Sequence, residues 1–144
     1  MEKWRRVFII CPVRNVPSAI NEKIAAYVAK LESDGCKVYW PYRDNPHQNT
    51  DKVGTAIIDY NRSRMLWADE THIWYDKGSA GSRLDLGMFW VLVEIYGPKK
   101  FIIINREEVQ STPEKSFENV ILAFERSYTE TDYFDDRFDS EWDW

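Results

Sequence analysis

Residues 6–11 read RVFIIC, in which Arg6 is followed by an unbroken apolar run that Pro12 ends. A strand that is buried on both faces has this pattern, and such strands are typical of parallel sheets covered by helices. Apolar residues at helical spacing follow over residues 18–34, and Gly35 stands where a helix would stop. The start of the chain therefore predicts a strand and a helix of a parallel α/β sheet.

The alternation of strand and helix patterns continues along the chain. Further strands are predicted over residues 37–41, 71–75 and 100–104, and further helices over 56–67, 83–96 and 114–126. In the helix over 56–67 we expect Ile57, Ile58, Met65 and Leu66 to face inward. Short connections between alternating elements predict a flavodoxin-like (Rossmann-like) three-layer α/β sandwich with a parallel sheet. We expect four or five strands, in the order 2-1-3-4-5 if the fifth exists.

Length and charge restrict the class of protein. The 144 residues suit one compact domain, which we place at residues 1–128, followed by an acidic aromatic tail over 129–144. The tail could be disordered, form an edge element or dock on a neighbouring subunit. The net charge of −5 argues against nucleic acid as a partner. No apolar run has the length of a membrane span and the N-terminus does not resemble a secretory signal, so we expect a cytoplasmic protein without a membrane partner.

The few cysteines and histidines argue against a metal site. Cys11 and Cys36 are too few for a disulfide framework or a zinc site, and we expect both to be small buried residues. His72 lies within a predicted strand, where a structural role is expected. His47 could form an acid/base pair with Asp44 or lie in a solvated loop. We expect no metal and no cofactor.

Ligands of an open parallel sheet bind beyond the carboxyl ends of its strands. This rule selects the loops 11–17, 42–54, 76–82 and 105–113, all of which are polar. The third loop enters a helix with small residues, whose free N–H groups favour an anion. Asp85 could close that helix start as a capping box with Ser82. Alternatively, Asp85 points into the cleft as an ionised nucleophile or sugar-binding carboxylate.

Two other polar residues near this edge, Arg14 and Asn61, have two possible interpretations each. Arg14 could clamp a phosphate or carboxylate, or it could be an exposed loop residue, and Asn15 follows it. Asn61 could face the cleft or lie on a solvated face of its helix. The three-dimensional arrangement of the loops decides between these alternatives.

Three segments together resemble the nucleoside 2-deoxyribosyltransferase superfamily, which includes the 2'-deoxynucleoside 5'-monophosphate N-hydrolases. They are the strand 8–12 that ends in Pro12, the helix leading to Ala68-Asp69 and the strand at 73–75, and the motif S-x-G-S-x-x-D-L-G-M over 79–88. The resemblance covers roughly residues 6–105. It implies homodimers or larger assemblies with shared sites. It also implies cleavage of an N-glycosidic bond through a covalent sugar–carboxylate intermediate, with another base as acceptor in transferases and water in hydrolases.

The resemblance assigns roles residue by residue. Asp85 takes the place of the nucleophilic Glu of a Glu-Leu-Gly motif, and Asn61 takes the place of a second Asp. Ser79 stands where relatives bind the sugar or a 5'-phosphate, Phe8 replaces a tyrosine, and Asn119 matches a late Asn or Ser that sometimes comes from the other subunit. We expect Asp85 and Asn61 to be catalytic. The expected substrate-binding residues are Phe8, Pro12, Arg14, Asn15, Ser79, Gly81, Ser82, Met88 and Asn119.

Three departures from the family pattern fall on functional positions. Asp85 is one methylene shorter than Glu, so its oxygen would retreat by about 1–1.5 Å, and a misplacement of about 1 Å can cost about a hundredfold in rate. Asn61 cannot take up a proton, and Phe8 lacks a hydroxyl. Two functions follow as hypotheses: an enzyme that acts on a nucleoside or nucleoside 5'-monophosphate, and a non-catalytic nucleotide or nucleotide-sugar binding module. A protein-interaction domain that uses the acidic tail is a third.

Overall fold

A computed structural model describes residues 4–128 and contains a four-stranded, all-parallel sheet. The strands are β1 (Arg6–Ile10), β2 (Lys37–Tyr39), β3 (Glu70–Ile73) and β4 (Lys100–Ile103). Their order is β2-β1-β3-β4, which confirms the predicted α/β class and agrees with the first four strands of a flavodoxin-like sheet. No fifth strand occurs within residues 4–128, and the tail over 129–144 lies outside this range.

Five α-helices connect and cover the strands. They are α1 (Ser18–Ser33), α2 (Pro41–Asp44), α3 (Thr55–Trp67), α4 (Ala80–Tyr96) and α5 (Phe117–Tyr128), with a 3₁₀ turn at Arg106–Glu108. The short α2 takes in the last residue of the strand predicted over 37–41 and the start of the predicted loop, and it begins on a proline at the position where helices tolerate one. Helix α4 begins three residues before the predicted start because the Ser79 hydroxyl accepts the N–H of Ser82 at 3.2 Å.

The two faces of the sheet carry separate hydrophobic clusters. Along β1, Phe8 and Ile10 belong to the cluster that α3, α4 and α5 cover, whereas Val7 and Ile9 belong to the cluster under α1. All four side chains are fully buried. Burial on both faces is why the run over residues 7–11 is apolar at every position, and helices on both sides make three layers.

Helix α3 differs from the prediction in which residues it buries. Met65 is fully buried and Ile57 is partly buried, but Ile58 and Leu66 are exposed, so the inward placement of these two was wrong. Leu66 is rotated by about 100° from Met65 around the helix. Ile58 faces a cavity instead of the core. The buried positions of α3 are Asn61 and Met65, which leaves a polar amide in the helix's inward stripe.

His72 has the structural role that was expected. Its Nδ1 lies 2.6 Å from the Tyr27 hydroxyl and its Nε2 lies 3.0 Å from Glu70 Oε1. Glu70 in turn accepts two hydrogen bonds from the Arg5 guanidinium. This network, on the α1 side of the sheet, uses both ring nitrogens of a buried histidine.

Cys11 and Cys36 are both buried free thiols, as expected. Across residues 4–128, no helix is long and apolar enough to cross a membrane. The same part of the chain contains no group of three or more His, Cys, Asp or Glu residues arranged to hold a metal ion.

Candidate functional site

A cavity of about 750 Å³ opens at the carboxyl ends of β1 and β3. It is lined by residues 11–17 after β1, by parts of the segment 41–61 and by parts of 76–85. Three of the four predicted loops therefore meet there. The fourth, 105–113, contributes no lining residue; Asn105 instead bonds through its side chain to both the N–H and the C=O of Tyr75, which holds the end of β4 against that of β3.

Asp85 lies in the second turn of α4, and its carboxyl group faces the cavity although only 7% of the residue is exposed. The N-cap of α4 is Ser79, so Ser82 lies inside the helix and does not cap it. The capping-box interpretation of Ser82 and Asp85 is therefore wrong. The side chain of Asn61 is the polar group that acts on the Asp85 carboxyl, and both residues line the cavity.

Burial raises the pKa of Asp85 to about 7, and the hydrogen bond from Asn61 opposes that rise. The helix N-terminus was expected to keep this carboxyl ionised, but withdrawal from water is the larger effect. Asp85 is therefore close to half ionised at neutral pH. A buried carboxylate with few solvent contacts is a stronger nucleophile than a hydrated one, once it is deprotonated.

Asn61 reaches the cavity from the inward stripe of α3, which excludes the solvated-face interpretation. Its Oδ1 accepts a hydrogen bond from the Tyr39 hydroxyl at 2.7 Å and another from Asn45 Nδ2 at 3.0 Å. With the oxygen occupied in this way, the NH₂ group is the end of the amide left to face the cavity that Asp85 also lines. Asn61 lowers the pKa of Asp85, as a donor near a carboxylate does.

Residues of the first loop form one wall and the rim of the cavity. Pro12 is buried in the wall, while Arg14 and Asn15 are exposed at the rim. Asn15 has a backbone φ of 54°, in the left-handed region that Asn tolerates better than most residues. Arg14 and Asp76 are the charged residues, besides Asp85, that line the cavity within residues 4–128.

The start of α4 provides the opposite wall. Ser79 and Gly81 line the cavity, together with Ala80 between them. Ser82 does not: it is fully buried, and its Oγ has no hydrogen-bond partner within the part of the chain that is described. Ser82 is thus not positioned to hold an anion in this cavity.

Three further predicted binding residues lie away from the cavity. Phe8 is buried in the core, with its ring centroid 5.2 Å from that of Tyr39. Met88 is partly buried and packs on the same core cluster. Asn119 bonds to the backbone of Thr112 and Glu114 and so closes the loop before α5. Packing and loop hydrogen bonds explain the positions of these three residues, and no ligand-binding role is needed for them.

His47 and Asp44 do not form a pair. Asp44 accepts the backbone N–H of Trp40 and the guanidinium of Arg43, and the His47 ring packs edge-on against Tyr60 at 5.9 Å between centroids. The acid/base interpretation therefore has no geometric support.

The structure adds Gln48, Tyr39 and Asn45 to the site. Gln48 lines the cavity, and its Oε1 is buried without a hydrogen-bond partner within residues 4–128. Tyr39 and Asn45 lie behind Asn61. Tyr39 could have been found from strand pairing, because it stands directly beside Phe8 in the register of β1 and β2. No sequence motif distinguishes Gln48 or Asn45 within their polar loop.

Comparisons with known proteins do not assign a family, since no protein-family model matches the chain and no curated protein matches it significantly. An α/β fold of this kind hosts many functions, so the fold does not decide between them. The chemistry of the cavity is therefore the feature that bears on function.

Proposed function

We propose that the protein cleaves or transfers the N-glycosidic bond of a nucleoside or nucleoside 5'-monophosphate, with Asp85 as the nucleophile. The observation that carries this proposal is a single buried carboxyl at the cavity wall, with a pKa near 7 and the Asn61 amide lining the same cavity. The resemblance of residues 79–88 to a deoxyribosyltransferase motif supports the same residue. A cavity of about 750 Å³ is within the usual range for sites that enclose a small molecule.

In the first step, an Asp85 oxygen bonds to the anomeric carbon of the sugar as the bond from that carbon to the base nitrogen breaks. The base leaves with the electron pair of that bond, and its proton comes from solvent because Asn61 has no ionisable proton. In the second step, water or another base attacks the anomeric carbon as the bond from that carbon to the Asp85 oxygen breaks; the nucleophile gives a proton to solvent, and Asp85 leaves as the carboxylate. Asn61 stabilises that carboxylate before the first step and after the second.

Two features of the cavity suit the rest of such a substrate. The first turn of α4, with Ala80 and Gly81 at the wall, has N–H groups that lack helical partners, and Arg14 lines the same cavity as an exposed residue. Together they suit a 5'-phosphate. The unpartnered Gln48 Oε1 can accept an N–H or O–H of the base or the ribose.

Incubation with a panel of ribo- and deoxyribonucleosides and their 5'-monophosphates tests the proposal, with free base measured by chromatography. We expect base release from at least one substrate class, and none from Asp85→Ala with the same substrate. Absence of base release from the whole panel, with wild type and Asp85→Ala alike, rejects the enzyme.

A non-catalytic nucleotide-binding module is the second candidate. Asp85, Asn61 and Phe8 all depart from the family pattern, and Phe8 lies in the core instead of the cavity. A binding module would give a higher melting temperature with a nucleotide from the panel while that nucleotide stays intact. An enzyme would consume it.

We also propose that the protein forms a homodimer through the outer face of α4. Leu84, Val91 and Ile95 share one face of this helix and are 47–58% exposed, with Trp90 and Tyr96 exposed beside them. An exposed apolar patch of this kind on a helix is typical of an interface. Leu84 also lines the cavity, so a second copy on this face would border the site, as the family resemblance implies.

Val91→Glu tests the dimer. We expect wild type to have twice the chain mass by light scattering, and Val91→Glu to have the mass of one chain because a charge would be buried at the contact. Val120→Glu is the control: this valine is similarly exposed, but on α5. A monomeric wild type, or dissociation by Val120→Glu to the same extent, contradicts the α4 interface.

A further inference from the structure

The orientation of the Asn45 side chain is fixed by two backbone groups. The Asn45 Oδ1 accepts the backbone N–H of His47 at 2.8 Å, and the Asn45 Nδ2 donates to the backbone C=O of Ile57 at 3.2 Å. A backbone N–H can only donate and a backbone C=O can only accept. The Asn45 amide therefore has one orientation that satisfies both contacts.

This orientation determines that of Asn61. The Asn45 Nδ2, already held by Ile57, also donates to Asn61 at 3.0 Å, so the atom of Asn61 that faces Asn45 has to be an acceptor, Oδ1. The Tyr39 hydroxyl donates to the same oxygen. Both asparagines are about 95% buried, and a reversed Asn61 amide would place two donors against each other away from water.

We propose that Asn45 is a positioning residue. The backbone N–H of His47 and C=O of Ile57 orient the Asn45 amide, and Asn45 orients the Asn61 amide so that its NH₂ group faces Asp85. This inference deepens the proposed function and rests on it for its relevance to catalysis. The consequence is chemical: a donor at Asp85 favours the carboxylate, whereas the amide oxygen in its place would disfavour it.

The ionisable groups that interact with Asp85 do not lower its pKa, so the Asn61 amide is the group that does. The titratable groups that interact with Asp85 are the Cys11 thiol and the Tyr39 hydroxyl, and burial raises the pKa of both, to about 12 for Cys11. Both are therefore neutral at pH 7. Arg14 and Asp76 line the same cavity. The Asn61 side chain, whose Oδ1 is held by Asn45 and Tyr39, is the group that lowers the pKa of Asp85.

The test is a carbon-13 NMR titration of the Asp85 carboxyl in the whole protein, with its signal assigned from Asp85→Asn. We expect the wild-type midpoint near pH 7 and a midpoint higher by about one pH unit in Asn45→Leu, a tenfold weaker acid, because the Asn61 amide is no longer held. The acid limb of the pH–rate profile for base release should move by the same amount. Replacement of the asparagine by leucine adds no charge, so a Coulomb effect cannot produce this result.

Tyr39→Phe is the second variant, since it removes one donor to Asn61 Oδ1 and keeps the ring. We expect a smaller shift in the same direction. Tyr27→Phe is the control: it also removes a hydroxyl hydrogen bond, but to His72 on the opposite face of the sheet, and the midpoint should stay at the wild-type value. An unchanged midpoint in both Asn45→Leu and Tyr39→Phe overturns the inference. Shifted midpoints without base release from any substrate reject the proposed function and leave the positioning role supported.

Discussion

Replacement of Asp85 by Asn is expected to lower base release at least about 1,000-fold and, in the same variant, to raise the melting temperature at pH 8. The loss of rate follows from loss of the nucleophile, since an amide does not form the sugar ester; losses of this size or greater are usual for such residues. The gain in stability follows from burial. At pH 8 the wild type holds an ionised carboxyl that is only 7% exposed, and the neutral amide avoids this cost.

The sign and the pH range of the stability change follow from the pKa. In the unfolded chain Asp85 ionises around its usual value of 3.8, whereas in the folded protein its pKa is about 7. Between these values the unfolded state loses its proton more readily, so the wild type becomes less stable as pH rises from about 4 to 7. Each pKa unit corresponds to about 1.4 kcal/mol, so the difference at pH 8 amounts to a few kcal/mol.

Thermal unfolding of both proteins at pH 4 and pH 8 measures this effect. Asp85→Asn should be the more stable protein at pH 8 and should lose that advantage at pH 4, where the carboxyl is protonated in the folded state. Asp59→Asn is the control, because Asp59 is exposed on α3 and pairs with Arg62 at the surface. A stability difference that is the same at both pH values would contradict a raised pKa, and retained base release would exclude Asp85 as the nucleophile.

Sequence patterns were sufficient for the sheet because its first strand is buried on both faces. The run over 7–11 leaves no polar position, and the later strands alternate with helical segments along the chain. Helix ends were less predictable. Ser79-x-x-Ser82 and Ser82-x-x-Asp85 have the same spacing, and only the hydrogen bond from Ser82 N to Ser79 shows which one caps α4.

The site was predictable only where topology determines proximity. Asp85 and the loop with Arg14 follow neighbouring parallel strands, so their meeting at one edge follows from strand order. The orientation of the Asn61 amide does not follow from strand order. It depends on backbone groups of His47 and Ile57, which orient Asn45 and through it Asn61. Asn119 shows the opposite error: a residue matched by family position is engaged by its own loop.

Glu70→Ala is expected to destabilise the protein by about 2–4 kcal/mol at pH 7. The Glu70 carboxylate accepts two hydrogen bonds from Arg5 and faces His72 Nε2 at 3.0 Å. Because an ionised carboxylate only accepts, Nε2 carries the ring proton, and Nδ1 accepts from the Tyr27 hydroxyl. Removal of Glu70 leaves the buried Nε2–H without a partner. Arg5 is half exposed and can turn to water, which keeps the cost below that of a fully buried pair.

The pH dependence distinguishes the charged network from a simple loss of side-chain volume. Burial disfavours the charge on Glu70, but Arg5 and His72 outweigh it and lower its pKa from 4.5 to about 2. The stabilisation is therefore fully present above about pH 4.5 and is lost as pH falls through about 2. Urea unfolding of wild type and Glu70→Ala at pH 7 and pH 3 should show a smaller difference at pH 3.

Glu32→Ala is the matched control for Glu70→Ala, since Glu32 also pairs with an arginine, Arg43, but at the surface. An exposed pair of this kind contributes less than about 1 kcal/mol, and salt screens it. Equal effects of the two substitutions would mean that Glu70 acts only as an ordinary ion pair. A larger effect at Glu70, insensitive to salt at pH 7, follows if the cost comes from the stranded His72 proton donor, which salt cannot reach.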